Sequence, residues 1–118
     1  MSFDFNNETP IYLQIIEHLK KLIISKKLLP NQKLMTVREM SLEYGVNPNT
    51  IQKALKELED IGLIYTESTN GKFVTNNEEV INRVRDETIK QMVDNFFESM
   101  EQLGINKCQT INFIKGDK

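Results

Sequence analysis

Apolar residues recur at helical spacing through most of this chain and alternate over one short stretch, which sets the order of its elements. Tyr12, Ile15, Ile16, Leu19, Leu22 and Ile23 form one stripe, predicting a core helix from Thr9-Pro10 to about Ser25. The segment 26–35, KKLLPNQKLM, places a Pro-Asn turn between two apolar pairs and reads as a connector that dips back into the core. Thr36 with Glu39 three residues on makes a capping box for a short helix, and Gly45 ends it. Val46 is then an apolar plug, Asn47 an N-cap, Pro48 a first helical residue, and Ile51, Leu55 and Leu58 the buried stripe of a second helix. Beyond Gly62, LIYTE and KFVT read as strands around Asn70-Gly71, a dipeptide that favours a tight hairpin with Ser68 to Lys72 at its tip. Asn76 with Glu79 offers another capping box, and Val80, Val84, Ile89, Met92, Val93, Phe96, Met100 and Leu103 carry a helical pattern to Gly104. A last short helix from Lys107 to Lys115 follows the cap Asn106. Residues 1–9 hold no helical pattern, though Phe3 and Phe5 alternate as a short extended arm would.

This order predicts a mainly α chain with a small β-hairpin. Residues 1–76 read as a winged helix-turn-helix domain and residues 77–118 as a helical dimerisation hairpin. The second helix of the motif leaves Asn49, Thr50, Gln52, Lys53 and Lys56 outside its apolar stripe. Such side chains hydrogen-bond base edges and phosphates, and a helix of this width fits the major groove of duplex DNA. The tail carries Ile81, Ile89, Met92, Phe96, Phe97, Met100 and Leu103, more apolar surface than one helix buries against a small domain, which points to pairing with a second copy. Pairing serves recognition, because one small module buries only about 600–1,000 Å² on DNA and tight binding comes from two modules on two half-sites.

Composition narrows the picture. The N-terminus has no basic stretch followed by an apolar one, and no apolar run approaches the roughly 18 residues that span a bilayer, so a cytoplasmic protein without a membrane is expected. One cysteine and one histidine exclude an internal disulfide and a Cys/His zinc site within the chain, and no cofactor is expected. Cys108 shares helical spacing with Ile105, Ile111 and Ile114 and reads as a packing residue; His18 reads as an edge residue. The net charge of −2 is unusual for a DNA binder, but nine cations balance nine anions up to residue 76, and the acidic excess lies wholly beyond it. Lys33, Arg38, Lys53, Lys56 and Lys72 fall on the elements that would face DNA, whereas Glu57, Glu59 and Asp60 cluster at the far end of the second helix. Local charge sets the field at a groove.

An enzyme is not expected: there is no glycine-rich phosphate loop, no nucleophile elbow and no spaced His/Asp/Glu set. The alternative is a winged helix used as a protein-interaction module without sequence-specific DNA binding. Such a module would present apolar or aromatic residues on the outer face of its second helix, where this chain is polar. No set of residues marks a small-molecule effector pocket.

The runs PIYLQI, LLPNQKL, VREMSLEYGVNPNTIQKALKELEDIGLI and NGKFVT, in order across residues 10–75, resemble the DNA-binding domain of GntR-family transcription regulators. The two-helix tail of about 40 residues, in place of a large effector-binding domain, resembles the YtrA-type subfamily. The resemblance implies a homodimeric bacterial repressor on an inverted repeat, often beside a transporter operon. It also implies DNA contacts from Arg38, from Asn47, Pro48, Asn49, Thr50 and Gln52, and from the wing tip around Thr69, Gly71 and Lys72. The chain departs from the family where glycine is usual near Lys26 and at Asn31, and where Met35-Thr36 replaces proline-serine. Ser68-Thr69-Asn70-Gly71 also replaces a wing of the form Arg-Gly-x-Gly, so weaker wing binding and more reliance on the recognition helix are expected.

Overall fold

The apolar stripe of the first stretch folds into α1 (Ile11–Ile24), which packs most extensively on α3 (Pro48–Ile61), with α2 (Val37–Tyr44) laid against α3 as well. The computed structural model describes residues 4–116, so Phe3 lies outside the described residues. The chain divides into two compact units, one reaching Asn82 and the other starting at Arg83. In the first, Ile15, Leu19 and Ile23 of α1, Met40 of α2 and Ile51, Leu55 and Leu58 of α3 are almost wholly buried. Each such side chain contributes about 1.5–3 kcal/mol on leaving water.

The two ends of α1 are built differently from expectation. Pro10 is extended and stands as the N-cap with no side-chain bond, and the helix begins at Ile11. The buried Gln14 anchors the preceding arm instead: its amide donates to the carbonyls of Asn6 and Thr9 at 3.0 and 2.8 Å and its oxygen accepts the Asn6 N–H at 3.0 Å. At the other end the chain turns through Lys26 in the left-handed region, φ 65°, and Asn31 repeats this at φ 66°. These are the two places where glycine is usual in similar sequences, and the backbone shows why.

The connector does more than return to the core. Asn31 donates to Val74, Val74 to Gln32 and Leu34 to Lys72, at 2.9, 2.9 and 2.8 Å, so residues 31–34 line the edge of the hairpin as an irregular third strand. The hairpin itself joins β1 (Ile64–Glu67) to β2 (Gly71–Val74), with Tyr65 opposite Phe73 and Glu67 opposite Gly71. That register leaves a three-residue loop, Ser68 to Asn70, closed by an Asn70 N–H to Glu67 bond of 2.7 Å. Asn70-Gly71 is therefore not a two-residue turn: Ser68 takes the positive φ, while Gly71 opens β2. The stacked Tyr65 and Phe73 rings, 5.7 Å apart, hold this pairing.

In α4 (Glu78–Gln102) the cap is Asn77, whose side chain accepts the Glu79 N–H at 3.0 Å, and not Asn76. Thr75 takes the Asn77 N–H at 3.1 Å and so sets that residue as the cap. Ile81, counted with the interface stripe on its spacing, is only 2% exposed and is a core residue of the single chain, unavailable to a partner. In the second unit, Asn106 and Gln109 form a capping box for α5 (Lys107–Ile114), and the Thr110 hydroxyl donates to the Asn106 carbonyl at 2.9 Å. Cys108 is exposed, contrary to its reading as a packing residue: Thr110 takes the buried position of α5, and Ile111 and Ile114 are exposed too.

Candidate nucleic-acid interface

Three local devices fix the surface that would face DNA. Thr36 accepts the Glu39 N–H at 3.1 Å while the Glu39 carboxylate accepts the Thr36 N–H at 2.9 Å, so the start of α2, with Arg38 exposed on its first turn, is rigidly set. Those bonds from Thr36 hold the Glu39 carboxyl below its usual range. Gly45 at φ 65° closes α2, and Val46, 8% exposed, plugs the corner while its carbonyl accepts the Ser41 hydroxyl at 2.6 Å. Asn47 then caps α3 by accepting the Asn49 N–H at 2.8 Å. With Ile51, Ala54, Leu55 and Leu58 buried, the N-terminal end of α3 presents Asn47, Pro48, Asn49, Gln52, Lys53 and Lys56 to solvent and Thr50 half-buried.

Gln52 and Lys56 of α3, Val37 of α2 and Lys72 of the wing line one open groove of ≈ 390 Å³, together with Glu59. Two helices and the wing thus converge there, as a surface that follows a duplex requires. A second cleft of ≈ 320 Å³ runs beside it between the connector and the wing tip, lined by Lys33, Thr36, Thr69, Gly71 and Lys72 among others.

Not all the cations assigned to DNA are equivalent. The Lys53 ammonium lies 3.8 Å from the centre of the Tyr12 ring, so it caps an aromatic of α1 on the flank of α3. Lys56 pairs loosely with Asp60 at 3.5 Å, both side chains open to water, an arrangement worth little. Lys72 is the most engaged: it donates to the Thr66 hydroxyl at 2.8 Å and meets the Glu59 carboxylate at 3.4 Å, while Thr66 donates to Glu59 at 2.6 Å. The Thr66 bond first, and the Lys72 charge after it, lower the Glu59 pKa. Sequence reading set Glu59 apart with the acidic far end of the helix. Its spacing of seven from Gln52 and three from Lys56 puts it on their face, and that signal was available in the sequence. Among the described residues no group of three or more His, Cys, Asp or Glu side chains could hold a metal, and no helix is long and apolar enough to cross a membrane.

Comparison with known proteins agrees with this architecture. Residues 11–74 match the family model described as bacterial regulatory proteins, gntR family. The uncharacterised HTH-type transcriptional regulator YhcF of Bacillus subtilis is 35% identical over 98% of this chain and 95% of its own length. The HTH-type transcriptional repressor YtrA of the same organism is 40% identical over 65% of this chain, a match spanning 59% of that protein. Among solved structures, a GntR family transcriptional regulator from Listeria monocytogenes superposes with a TM-score of 0.86 at 36% identity, covering 97% of this chain and all of that one. AraR(DBD), solved in complex with an operator, superposes with a TM-score of 0.57 at 32% identity, over 64% of this chain and 95% of that one.

Proposed function

Because the chain belongs to the GntR family of bacterial regulatory proteins and is a DNA-binding transcription regulator, not an enzyme, we propose that it is a cytoplasmic repressor that binds an inverted-repeat operator as a homodimer. The observation that carries sequence-specific docking is the groove in which polar side chains of α3, the start of α2 and the wing converge. In this reading Arg38 clamps a phosphate or reaches a guanine, and Asn47, Asn49, Thr50 and Gln52 at the N-terminal end of α3 read base edges. Lys56 adds charge along the groove, and Thr69 and Gly71 at the wing tip approach the backbone.

Homodimerisation rests on the apolar stripe of α4. Ile89, Met92, Val93, Phe96 and Leu103 are all exposed on the single chain, with Phe97 and Met100 half-buried beside them. An unpaired stripe of this kind is what a two-fold interface buries. Repression, with a transporter operon among the targets, is taken from the YtrA-type character of the short tail and from the repressor YtrA itself. The test is affinity selection from a random duplex DNA library with the full chain. Enrichment of an inverted repeat supports the reading; no enrichment at low salt favours a protein-interaction module.

A further inference from the structure

The wing tip of this protein carries no arginine, and the two lysines near it are held in different ways. Lys72 lies within β2, and its ammonium is already bound to Thr66 at 2.8 Å and paired with Glu59 at 3.4 Å. Those partners come from β1 and α3, so the three side chains brace the hairpin against the recognition helix. Moving Lys72 to a phosphate would leave Glu59 unpaired in the groove, facing the same polyanion. Lys33 stands in a different setting. It bridges to Phe73 from the edge of the hairpin, and its side chain runs under the tip. A methyl group placed on Gly71 would lie 3.2 Å from its Cε and 4.0 Å from its ammonium. The absence of a side chain at Gly71 is what leaves this space open.

Lys33 is exposed and forms no ion pair with any described residue. The carboxylate it influences is Glu39, which is committed to the Thr36 N–H at 2.9 Å. The ≈ 320 Å³ cleft beside Lys33 is bordered by Thr36 and Thr69, so one free cation and two hydroxyls face it. That donor set suits a single phosphate of a nucleic-acid backbone.

We propose that Lys33, and not Lys72, is the phosphate-binding cation of the wing, while Lys72 and Glu59 form the strut that holds the wing on α3. The connector between α1 and α2 thereby supplies the charge that the wing tip lacks. This inference rests on the DNA-binding reading above. Its test is the salt dependence of binding to mixed-sequence duplex DNA by the full chain and by Lys33→Met and Lys72→Met variants. Loss of one phosphate contact flattens the log–log salt slope by about 0.9, so the affinity advantage of the unaltered chain over Lys33→Met should shrink about threefold between roughly 50 and 200 mM salt. Lys72→Met should flatten it less and lower the unfolding midpoint more. A Lys33→Met slope equal to that of the unaltered chain, or a larger loss at Lys72, overturns the assignment while leaving DNA binding intact. Failure of the unaltered chain itself to bind duplex DNA removes both.

Discussion

The two units of this chain treat their apolar residues in opposite ways. In the first, Ile15, Ile51, Leu55 and Leu58 are at most 1% exposed, and helix ends are answered by Thr36, Asn47 and Gln14 from within. In the second, Met92, Phe96 and Phe113 remain 59%, 46% and 65% exposed on helices that are nonetheless well capped. Apolar area left in water contributes nothing to folding, and each Å² later covered contributes about 25 cal/mol. The first unit thus specifies a finished object, whereas the second specifies a surface whose stabilisation depends on what it meets.

Truncation is the strongest way to break this contrast. Leu58→Ala should cost about 2–5 kcal/mol of stability, because it opens a cavity against α1 and the base of the wing. Phe96→Ala in dilute protein should cost less than about 1 kcal/mol. Urea unfolding monitored by circular dichroism checks both, and equal losses would mean that the tail buries Phe96 within one chain.

Binding sharpens the comparison from the other side. Arg38→Ala and Asn49→Ala are each expected to weaken operator binding by about 1–3 kcal/mol with no change in unfolding midpoint, since both side chains are exposed. Unchanged affinity in both variants rules out the docking drawn here. A smaller effect concerns the backbone. Lys26→Gly should stabilise the chain by about 1 kcal/mol by relieving its left-handed conformation. The loss of its 2.8 Å pair with Glu78 subtracts little, because both side chains are open to water. A net loss of stability in thermal unfolding would show that this pair matters more than the strain.

Much of this arrangement was legible in the sequence because it rests on local chemistry. The Thr36–Glu39 box, Gly45, and the Asn47-Pro48 start of α3 are short-range signals, and they place the recognition helix. The departures at Lys26 and Asn31 marked two left-handed residues before any coordinates did. What escaped were effects of tertiary register. The connector gave no sign that residues 31–34 would pair with β2, and Asn70-Gly71 suggested a tighter turn than the Tyr65–Phe73 pairing allows. Thr75, by taking the Asn77 N–H, moved the α4 cap by one residue. The periodicity that grouped Ile81 with Phe96 could not distinguish a position facing the first core from one facing solvent. Glu59 was misplaced for a different reason: acidic residues adjacent in sequence were treated as one cluster although they lie on different faces of α3.

The division of labour between the two units is tested most directly by the assembly state of the full chain and of Phe96→Glu, alone and on the selected duplex, by sedimentation velocity. The account predicts a dimer for the unaltered chain with two copies on the inverted repeat, and a folded Phe96→Glu monomer that has lost affinity for the full operator. A Phe96→Glu chain that sediments as an unaltered dimer, or an unaltered chain that binds the inverted repeat as a single copy, would contradict it.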